Sequence, residues 1–457
     1  MSWILAEFRM RLLKVARPLG TGASIRANSP PDCRRGLQGT RRVPADLPRA
    51  FASSEYAVGW NRPRICIMSS ILGLPDEGRD ALMGAALDPP HRALDSWRRW
   101  EQSGANARTD PVARRWLPLI GHNLRDAPVD PTARALFVEA RRNAWAANLG
   151  LLDAARPALE SLAADGIRTM LLKGAVLAAA PYFEPGLRSI GDVDVLVEPL
   201  HARAATRILE ESGWVAWRKH NERDLLLAHG LDLRKPPHGA LDLHWFLLAE
   251  CCWDGADRGV WQRAQPMTSV TSTTVAPAAA DLLFHICVHG LRWSPVHSGH
   301  WVADAVRIIQ TAGERLDWDI VVSEAARRRL GLQMTHALRV VRERGHVDVP
   351  QAVIETLERQ PMSWRDRIEC RFKGRPVQSA GGLFVIWTAW RRSAAAARSD
   401  GRQSPPWIRF LSATLGVATP AALVRRLADH ARTRTRAVVH RGPPRGASTR
   451  TRTDARR

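Results

Sequence analysis

The sequence predicts a mixed α+β protein in which a small mixed sheet with its own helices is flanked by helical regions on both sides. Apolar residues recur at helical spacing before residue 165 and again after about residue 270. The stretch between them alternates short β-type runs with helices and glycine turns. The chain has 457 residues, of which 45% are hydrophobic, so it is long enough for two or three domains with a substantial core.

The two ends of the chain differ from its middle in charge and composition. Residues 1–67 carry 12 basic and 4 acidic side chains, and residues 424–457 carry 11 and 2, so most of the net charge of +22 lies in these ends. Both are rich in Arg, Pro and Gly and lack a hydrophobic period, which is typical of disorder. The predicted segments are 1–67, a basic extension that is disordered or precedes a true start at Met68; 68–165, a helical cap; 166–265, an α/β core; 266–425, a helical domain; and 426–457, a basic disordered tail.

The elements follow from local patterns. In the cap, apolar residues at three- and four-residue spacing predict a helix that ends at Asp165-Gly166. The core is predicted to contain strands over 167–172, 192–197, 214–217, 230–234 and 240–245, and helices over 174–182 and 200–212. The turn Pro236-Pro237-His238-Gly239 predicts a hairpin between the last two strands. Further helices are predicted over 278–289, 302–312, 319–330 and 332–344.

Two carboxylates on one strand predict a metal site. Asp192 and Asp194 alternate with Val193 and Val195, so both acidic side chains are expected on one face. Like charges this close repel each other unless a cation lies between them. Mg²⁺ prefers carboxylate oxygens together with substrate phosphates. We therefore interpret Asp192 and Asp194 as metal ligands.

The residues around this pair predict phosphoryl or nucleotidyl transfer, which needs a phosphate cradle, a metal-binding pair and a third carboxylate. Lys173-Gly174 follows an apolar strand and begins a helix, where backbone N–H groups can face an anion. Asp242, in Leu-Asp-Leu-His-Trp, supplies the third carboxylate. Asp232 is the alternative to Asp242 for that role.

Three motifs carry a resemblance to a known family. They are Leu172-Lys173-Gly174-Ala175, then the run 188–197 (Arg-Ser-Ile-Gly-Asp-Val-Asp-Val-Leu-Val), then Asp242-Leu243-His244-Trp245. In this combination the chain resembles an uncharacterised bacterial nucleotidyltransferase family within the DNA polymerase β-like nucleotidyltransferase superfamily. The resemblance extends over roughly residues 75 to 345.

The resemblance implies a minimal polymerase β-like core that uses two Mg²⁺ ions and an NTP substrate. It implies that Asp192, Asp194 and Asp242 are the catalytic and metal-binding residues, and that Lys173, Gly174 and Arg188 contact the nucleotide. The superfamily turn is usually Gly-Ser or Gly-Gly, whereas this chain has Lys173-Gly174-Ala175, so the hydroxyl of that turn is missing.

Three candidates have alternative interpretations. Arg188 contacts a phosphate, or it braces the structure by pairing with Glu184 or the site aspartates. His244 is expected to hydrogen-bond Asp242 rather than bind metal, because Mg²⁺ favours oxygen. The His285 and His289 pair has zinc-ligand spacing, but it lacks the Glu of HExxH, so packing histidines are the favoured interpretation.

Function and location follow as expectations. The expected activity is Mg²⁺-dependent transfer of NMP from an NTP to an acceptor, which is a small molecule, a protein or an RNA. The alternatives are a catalytically degenerate, nucleotide-binding regulatory protein and a nucleic-acid-binding protein that acts through its basic tails. Six cysteines without a CxxC pair, and no clear signal peptide or membrane span, predict a reduced cytoplasmic protein.

Overall fold

Helices come first in the described part of the chain. The computed structural model describes residues 77–425 apart from 180–183, 185, 218–219, 221, 238, 268–269, 293–298, 378 and 418–420. The predicted basic extension 1–67, Met68 and the predicted basic tail 426–457 all lie outside the described residues. The first helices are α1 Glu77–Leu87, α2 Pro90–Gln102, α3 Pro111–Asn123 and α4 Pro131–Ala164.

Local sequence explains where these helices begin. α3 and α4 each start with a proline, whose fixed φ suits the first helical position. The preceding residues, Asp110 and Asp130, accept hydrogen bonds from the backbone N–H groups of Val112 and Thr132. These caps satisfy N–H groups that have no partner within the helix.

A mixed sheet forms the centre of the described chain. Its strands are β1 Met170–Leu171, β2 Val193–Leu196, β3 Val215–Ala216, β4 Gly230–Lys235, β5 Gly239–His244, β6 Gln265–Pro266 and β7 Val275–Ala276. The order across the sheet is β3-β4-β5-β2-β1-β7-β6. β2 runs parallel to β5 and antiparallel to β1, and β4 and β5 form the predicted hairpin. Helices α5 Lys173–Ala179 and α6 Ala202–Glu211 connect its strands, and the 3₁₀ segment Glu222–Leu227 precedes β4.

Strands β6 and β7 were not predicted from the sequence. β7 pairs with β1, and β6 pairs with β7, so the sheet continues past residue 265, where the core was expected to end. Each of these strands is two residues long. Two residues are too few to show the alternation by which a strand is recognised in a sequence.

Helices follow the sheet to the end of the described residues. They are α7 Arg258–Gln262 (between β5 and β6), α8 Ala279–Gly290, α9 His300–Ala312, α10 Trp318–Arg327, α11 Gly331–Gly345, α12 Gln351–Arg359, α13 Trp364–Phe372, α14 Ala380–Ser399 and α15 Trp407–Leu415. The fold is thus a mixed α+β architecture with helices on both sides of one small sheet, as the sequence predicts.

Buried ion pairs join these helices to the core. Arg328, which is fully buried, contacts Asp257 and Glu324 at 3.0 Å each. Arg263 bridges Glu324 to the buried Asp281 of α8. Charges this deep are tolerated only when they are paired, so this network fixes α8 and α10 against the end of the core.

Two features bear on the expected location. Within the described ranges, no helix combines the length and the apolar character needed to cross a bilayer. The cysteines that the structure describes, namely Cys251, Cys252, Cys287 and Cys370, are buried and free.

Candidate active site

Acidic side chains meet where β2, β4 and β5 lie side by side. Asp194 on β2 is directly opposite Asp242 on β5, and Asp242 is directly opposite Asp232 on β4. Residues opposite one another share a face of the sheet. The opposite face carries Leu231, Leu233, Leu241 and Leu243, which belong to the apolar core.

Asp194, Asp242 and His244 form a tight cluster. One potential ligand atom from each lies within 4.8 Å of the others, and Asp194 and His244 are buried. His244 Nε2 lies 3.1 Å from Asp194 Oδ1. The expected hydrogen bond from His244 to Asp242 is therefore wrong, because the parallel register brings the imidazole against the β2 carboxylate instead. Asp232, the alternative third carboxylate, is not part of this cluster.

Lys173 contacts the same carboxylate. Its Nζ lies 2.5 Å from Asp194 Oδ1, and both side chains are largely buried. Lys173 has a positive φ of 40°, a conformation that costs energy for a residue with a side chain. Gly174 follows, and a Cβ there would lie 2.5 Å from Ile190 Cγ2. The turn therefore needs glycine at 174, and it directs the ammonium towards the carboxylates.

Burial and mutual repulsion shift the titration of the carboxyl groups. The pKa of Asp242 rises to about 8, first because of burial and then because of Asp192, Asp194 and Asp232. The pKa of Asp192 is also raised, first by burial and then by Asp194. A raised pKa means that the ionised form is costly at the site unless a cation is supplied.

Asp192 lies just before β2 and outside the tight cluster. It has cationic neighbours in Lys173, Arg234 and Arg115, whose charges oppose the increase in its pKa. Arg115 is on α3, and burial, followed by the charge of Arg188, lowers its pKa. Helix α3 therefore contributes a cation beside the carboxylates.

Arg188 forms an ion pair with a residue of a distant helix. Its Nε and Nη2 lie 2.8 and 3.0 Å from the two carboxylate oxygens of Asp304 on α9. Neither Glu184 nor a site aspartate is its partner in this ion pair. A bidentate contact of this kind joins the 188–192 segment to α9, and the role of Arg188 towards a phosphate stays a prediction.

A cavity of about 210 Å³ opens beside the carboxylates. Its wall contains Lys173, Asp232, Asp242 and His244 from the sheet region. It also contains Asp224 from the 3₁₀ segment, together with residues 413, 414, 416 and 417 at the end of α15. The end of α15 and the residues that follow it therefore form one wall of the cavity.

Histidines form part of the wall of this cavity. His229 and His289 line it, and burial lowers the pKa of both well below the usual value. His285 and His289 stack edge to face, with ring centroids 5.8 Å apart. Among the described residues neither belongs to a group with metal-ligand distances, and their interpretation as packing histidines stays a prediction.

The residues at the cluster fit a hard divalent cation. Asp242 Oδ1 is buried and has no hydrogen-bond partner among the described atoms. Arg234 Nη1 approaches it only to 3.6 Å. An unpartnered carboxylate oxygen beside a second carboxylate is the oxygen-rich donor set that Mg²⁺ prefers.

Several groups near the site could not be found from the sequence. Arg115 lies on a helix far from the motif, and nothing in its local pattern distinguishes it from other helix-surface charges. The cavity wall at the end of α15 lies about 170 positions after Asp242 along the chain. Only the tertiary structure brings these residues to the carboxylates.

Comparison with known proteins gives a family but no individual relative. A family model described as "Uncharacterised nucleotidyltransferase" matches residues 112–345, which are 234 of the 457 residues. The match includes all seven strands described above and the Asp194–Asp242–His244 cluster. Among the curated proteins and the solved structures, none matches the chain significantly.

Proposed function

The chain belongs to the uncharacterised nucleotidyltransferase family, and from this premise we propose that it transfers a nucleoside monophosphate from an NTP to an acceptor hydroxyl with the help of Mg²⁺. The proposal rests mainly on Asp194 and Asp242, which lie opposite each other on neighbouring strands. The Oδ1 atom of Asp242 is buried and has no hydrogen-bond partner among the described atoms. A buried carboxylate oxygen without a hydrogen-bond partner, beside a second carboxylate, is suited to hold a cation that also binds a phosphate.

Each residue has a proposed role. Asp192, Asp194 and Asp242 would hold the metal ions, with two ions expected from the family resemblance. Bound there, Mg²⁺ would neutralise charge on the triphosphate and on the attacking oxygen. Lys173 and the Gly174 backbone bind the phosphates. Arg188 holds the 188–192 segment through Asp304 and adds positive charge near the phosphates.

The proposed reaction is an in-line displacement at the α-phosphorus. The acceptor oxygen forms a new bond to this phosphorus, and the bond to the bridging oxygen of the β-phosphate breaks. Pyrophosphate leaves, and the acceptor proton passes to Asp242.

The test is pyrophosphate release from each NTP in the presence of Mg²⁺ and a host extract that contains the acceptor. The double variant Asp192→Asn, Asp194→Asn should lose release while its circular dichroism and melting profile stay those of a folded protein. An exposed carboxylate away from the site provides the matched control, Asp348→Asn. Undiminished pyrophosphate release by the double variant would contradict the proposal.

A second candidate is nucleotide binding without transfer, as in a regulatory protein. The ion pair between Lys173 Nζ and Asp194 favours it, because the ammonium neutralises a carboxylate that transfer needs for a metal. Calorimetric titration with NTP and Mg²⁺ followed by the pyrophosphate assay separates the two candidates. Binding without release, in an extract that contains acceptors, supports the regulatory role.

A further inference from the structure

Asn148 is a buried amide in the middle of the long helix α4. Its side chain is 5% exposed, although asparagine is a poor helix former and burying an unpaired amide costs free energy. Both ends of this amide are paired. Nδ2 donates to the carbonyl oxygen of Arg188 at 2.7 Å, and Oδ1 accepts from the backbone N–H of Ile190 at 3.0 Å. The amide therefore holds the backbone of the segment that leads into β2.

The two partners of Asn148 are matched to an amide. A carbonyl oxygen can only accept and a backbone N–H can only donate, so the NH₂ group faces Arg188 and the amide oxygen faces Ile190. Leucine, which has a similar size, would make neither hydrogen bond. An ionised aspartate would make only the one to Ile190.

Side chains rather than strand pairing hold the segment before β2. Residues 187–192 form neither helix nor strand. In the part of the chain that the structure describes, the backbone groups of residues 189–191 make no hydrogen bond to another backbone group. Such backbone needs side-chain or solvent partners. Asn148 supplies them at 188 and 190, and the Arg188 side chain contacts the carbonyl oxygen of Ser189.

The residues before this segment contact the same face of α4. Arg141 Nη2 lies 2.8 Å from Glu184 Oε2. Gly186 has a φ of 79°, and a Cβ there would meet the carbonyl oxygen of Arg141 and lie 3.0 Å from Trp145 Cβ. Positions 141, 145 and 148 are spaced by four and three residues, so they share one face of the helix. This face of α4 is the surface on which the chain lies before it enters β2.

Ile190 connects Asn148 to the turn at Lys173-Gly174. The Ile190 side chain is buried and packs on Gly174, where a Cβ would lie 2.5 Å from Ile190 Cγ2. Lys173 precedes this glycine, and its Nζ lies 2.5 Å from Asp194 Oδ1. A displacement of Ile190 would therefore change the space that the turn occupies beside the carboxylates.

The same segment carries Asp192. Strand pairing fixes Asp194 within β2, whereas Asp192 comes before the strand and two residues after Ile190. The direction of the Asp192 carboxylate thus depends on the path of the chain into β2. At the other end of the segment, the Arg188 side chain is held by Asp304 of α9 at 2.8 Å. Asn148 fixes the backbone between these two side chains.

We propose that Asn148 is a positioning residue for the metal and phosphate sites. It holds the backbone at 188 and 190 and thereby directs Asp192 towards the other carboxylates. It also keeps Ile190 against the turn at Gly174. Residues that orient metal ligands through hydrogen bonds typically contribute roughly 10- to 100-fold to metal affinity or activity. The inference rests on the proposed function for the identity of the site, but its effect on cation binding does not require nucleotidyl transfer.

The test measures Mn²⁺ binding to the full chain by electron paramagnetic resonance, without nucleotide. Mn²⁺ replaces Mg²⁺ as the probe because both prefer oxygen ligands. Asn148→Ala should bind Mn²⁺ at least about tenfold more weakly than the native protein, a change of about 1.4 kcal/mol. Asn148→Gln keeps the donor and the acceptor but moves them by one methylene, so its affinity should lie between those of Asn148→Ala and the native protein.

Two controls on α4 separate positioning from general destabilisation. Leu159→Ala removes a fully buried side chain from the same helix, so it should lower the melting temperature and leave Mn²⁺ affinity as it is. Asn143→Ala removes an exposed amide five positions before Asn148 and should change neither quantity. In the pyrophosphate assay Asn148→Ala should also raise the KM for NTP and lower kcat, whereas both controls should keep the native values.

Native Mn²⁺ affinity in Asn148→Ala or in Asn148→Gln, an equal loss in Leu159→Ala, or absence of Mn²⁺ binding by the native protein would each overturn the inference. If Asn148→Ala does not fold, the comparison of Asn148→Gln with the native protein decides. The expected order of Mn²⁺ affinities without pyrophosphate release from any NTP would instead count against the proposed function. The two failures are therefore distinguishable.

Discussion

Replacing Asp242 by Asn should make the metal-free protein more stable. The pKa of Asp242 is about 8 in the folded chain, against an ordinary value of 3.8. Below about pH 4 both states hold the proton, and the group costs nothing. As the pH rises towards 8, the unfolded chain releases the proton while the folded chain keeps it, so stability falls by about 1.4 kcal/mol per pH unit.

The magnitude at neutral pH follows from this slope. Between the ordinary pKa of the carboxyl group and pH 7 there are roughly three pH units, and at this slope they cost the folded state about 4 kcal/mol. Asn has the same shape and does not titrate, so the Asp242→Asn variant should avoid this cost. In EDTA its melting temperature should exceed that of the native protein by several degrees at pH 7. The two should converge near pH 4.

Mg²⁺ should remove most of this difference in stability. A ligand at 100 times its Kd stabilises the folded state by about 2.7 kcal/mol, and only the native protein has the full carboxylate set. Differential scanning calorimetry from pH 4 to 9, with EDTA and then with Mg²⁺, measures both effects. If Asp242→Asn is less stable than the native protein in EDTA, or gains as much from Mg²⁺, the reasoning is refuted.

The remaining predictions concern the turn, the phosphate side and the buried network. Gly174→Ala should lower both the melting temperature and the nucleotide affinity, because the added Cβ would clash with Ile190. If thermal melts and nucleotide titrations of this variant match those of the native protein, the turn is not constrained. Lys173→Met should raise the KM for NTP at least tenfold in the pyrophosphate assay. An unaltered KM would mean that Lys173 only pairs with Asp194 and does not bind the phosphates. Arg328→Met should destabilise the protein by about 3–5 kcal/mol in urea unfolding, because Glu324 loses a buried partner; a neutral result would mean that the network adds nothing to stability.

The acidic motif was predictable because its information is local. Alternation along 192–197 and 240–245 indicated which side chains share a face, and the structure places Asp194 opposite Asp242 in register. The fold class followed in the same way from the change between helical and β-type spacing. The residue roles inferred from this motif stay predictions until the site is assayed.

The partners of the motif were not predictable because they depend on distant contacts. His244 was expected against Asp242, but strand pairing puts it against Asp194. Arg188 and Asp304 are 116 positions apart, and no local pattern connects them. Strands β6 and β7 are too short to be recognised alone, and they form because β1 offers an edge to pair with.

Transfer of label from an NTP tests the central claim most directly. The full chain is incubated with a host extract and each NTP, labelled either at the α-phosphate or at the γ-phosphate. We predict that α-label appears in an acceptor with Mg²⁺, and that it is absent with EDTA and in the Asp194→Asn variant. Label transferred from the γ-phosphate instead, or equal α-labelling by Asp194→Asn, would contradict nucleotidyl transfer at this carboxylate pair.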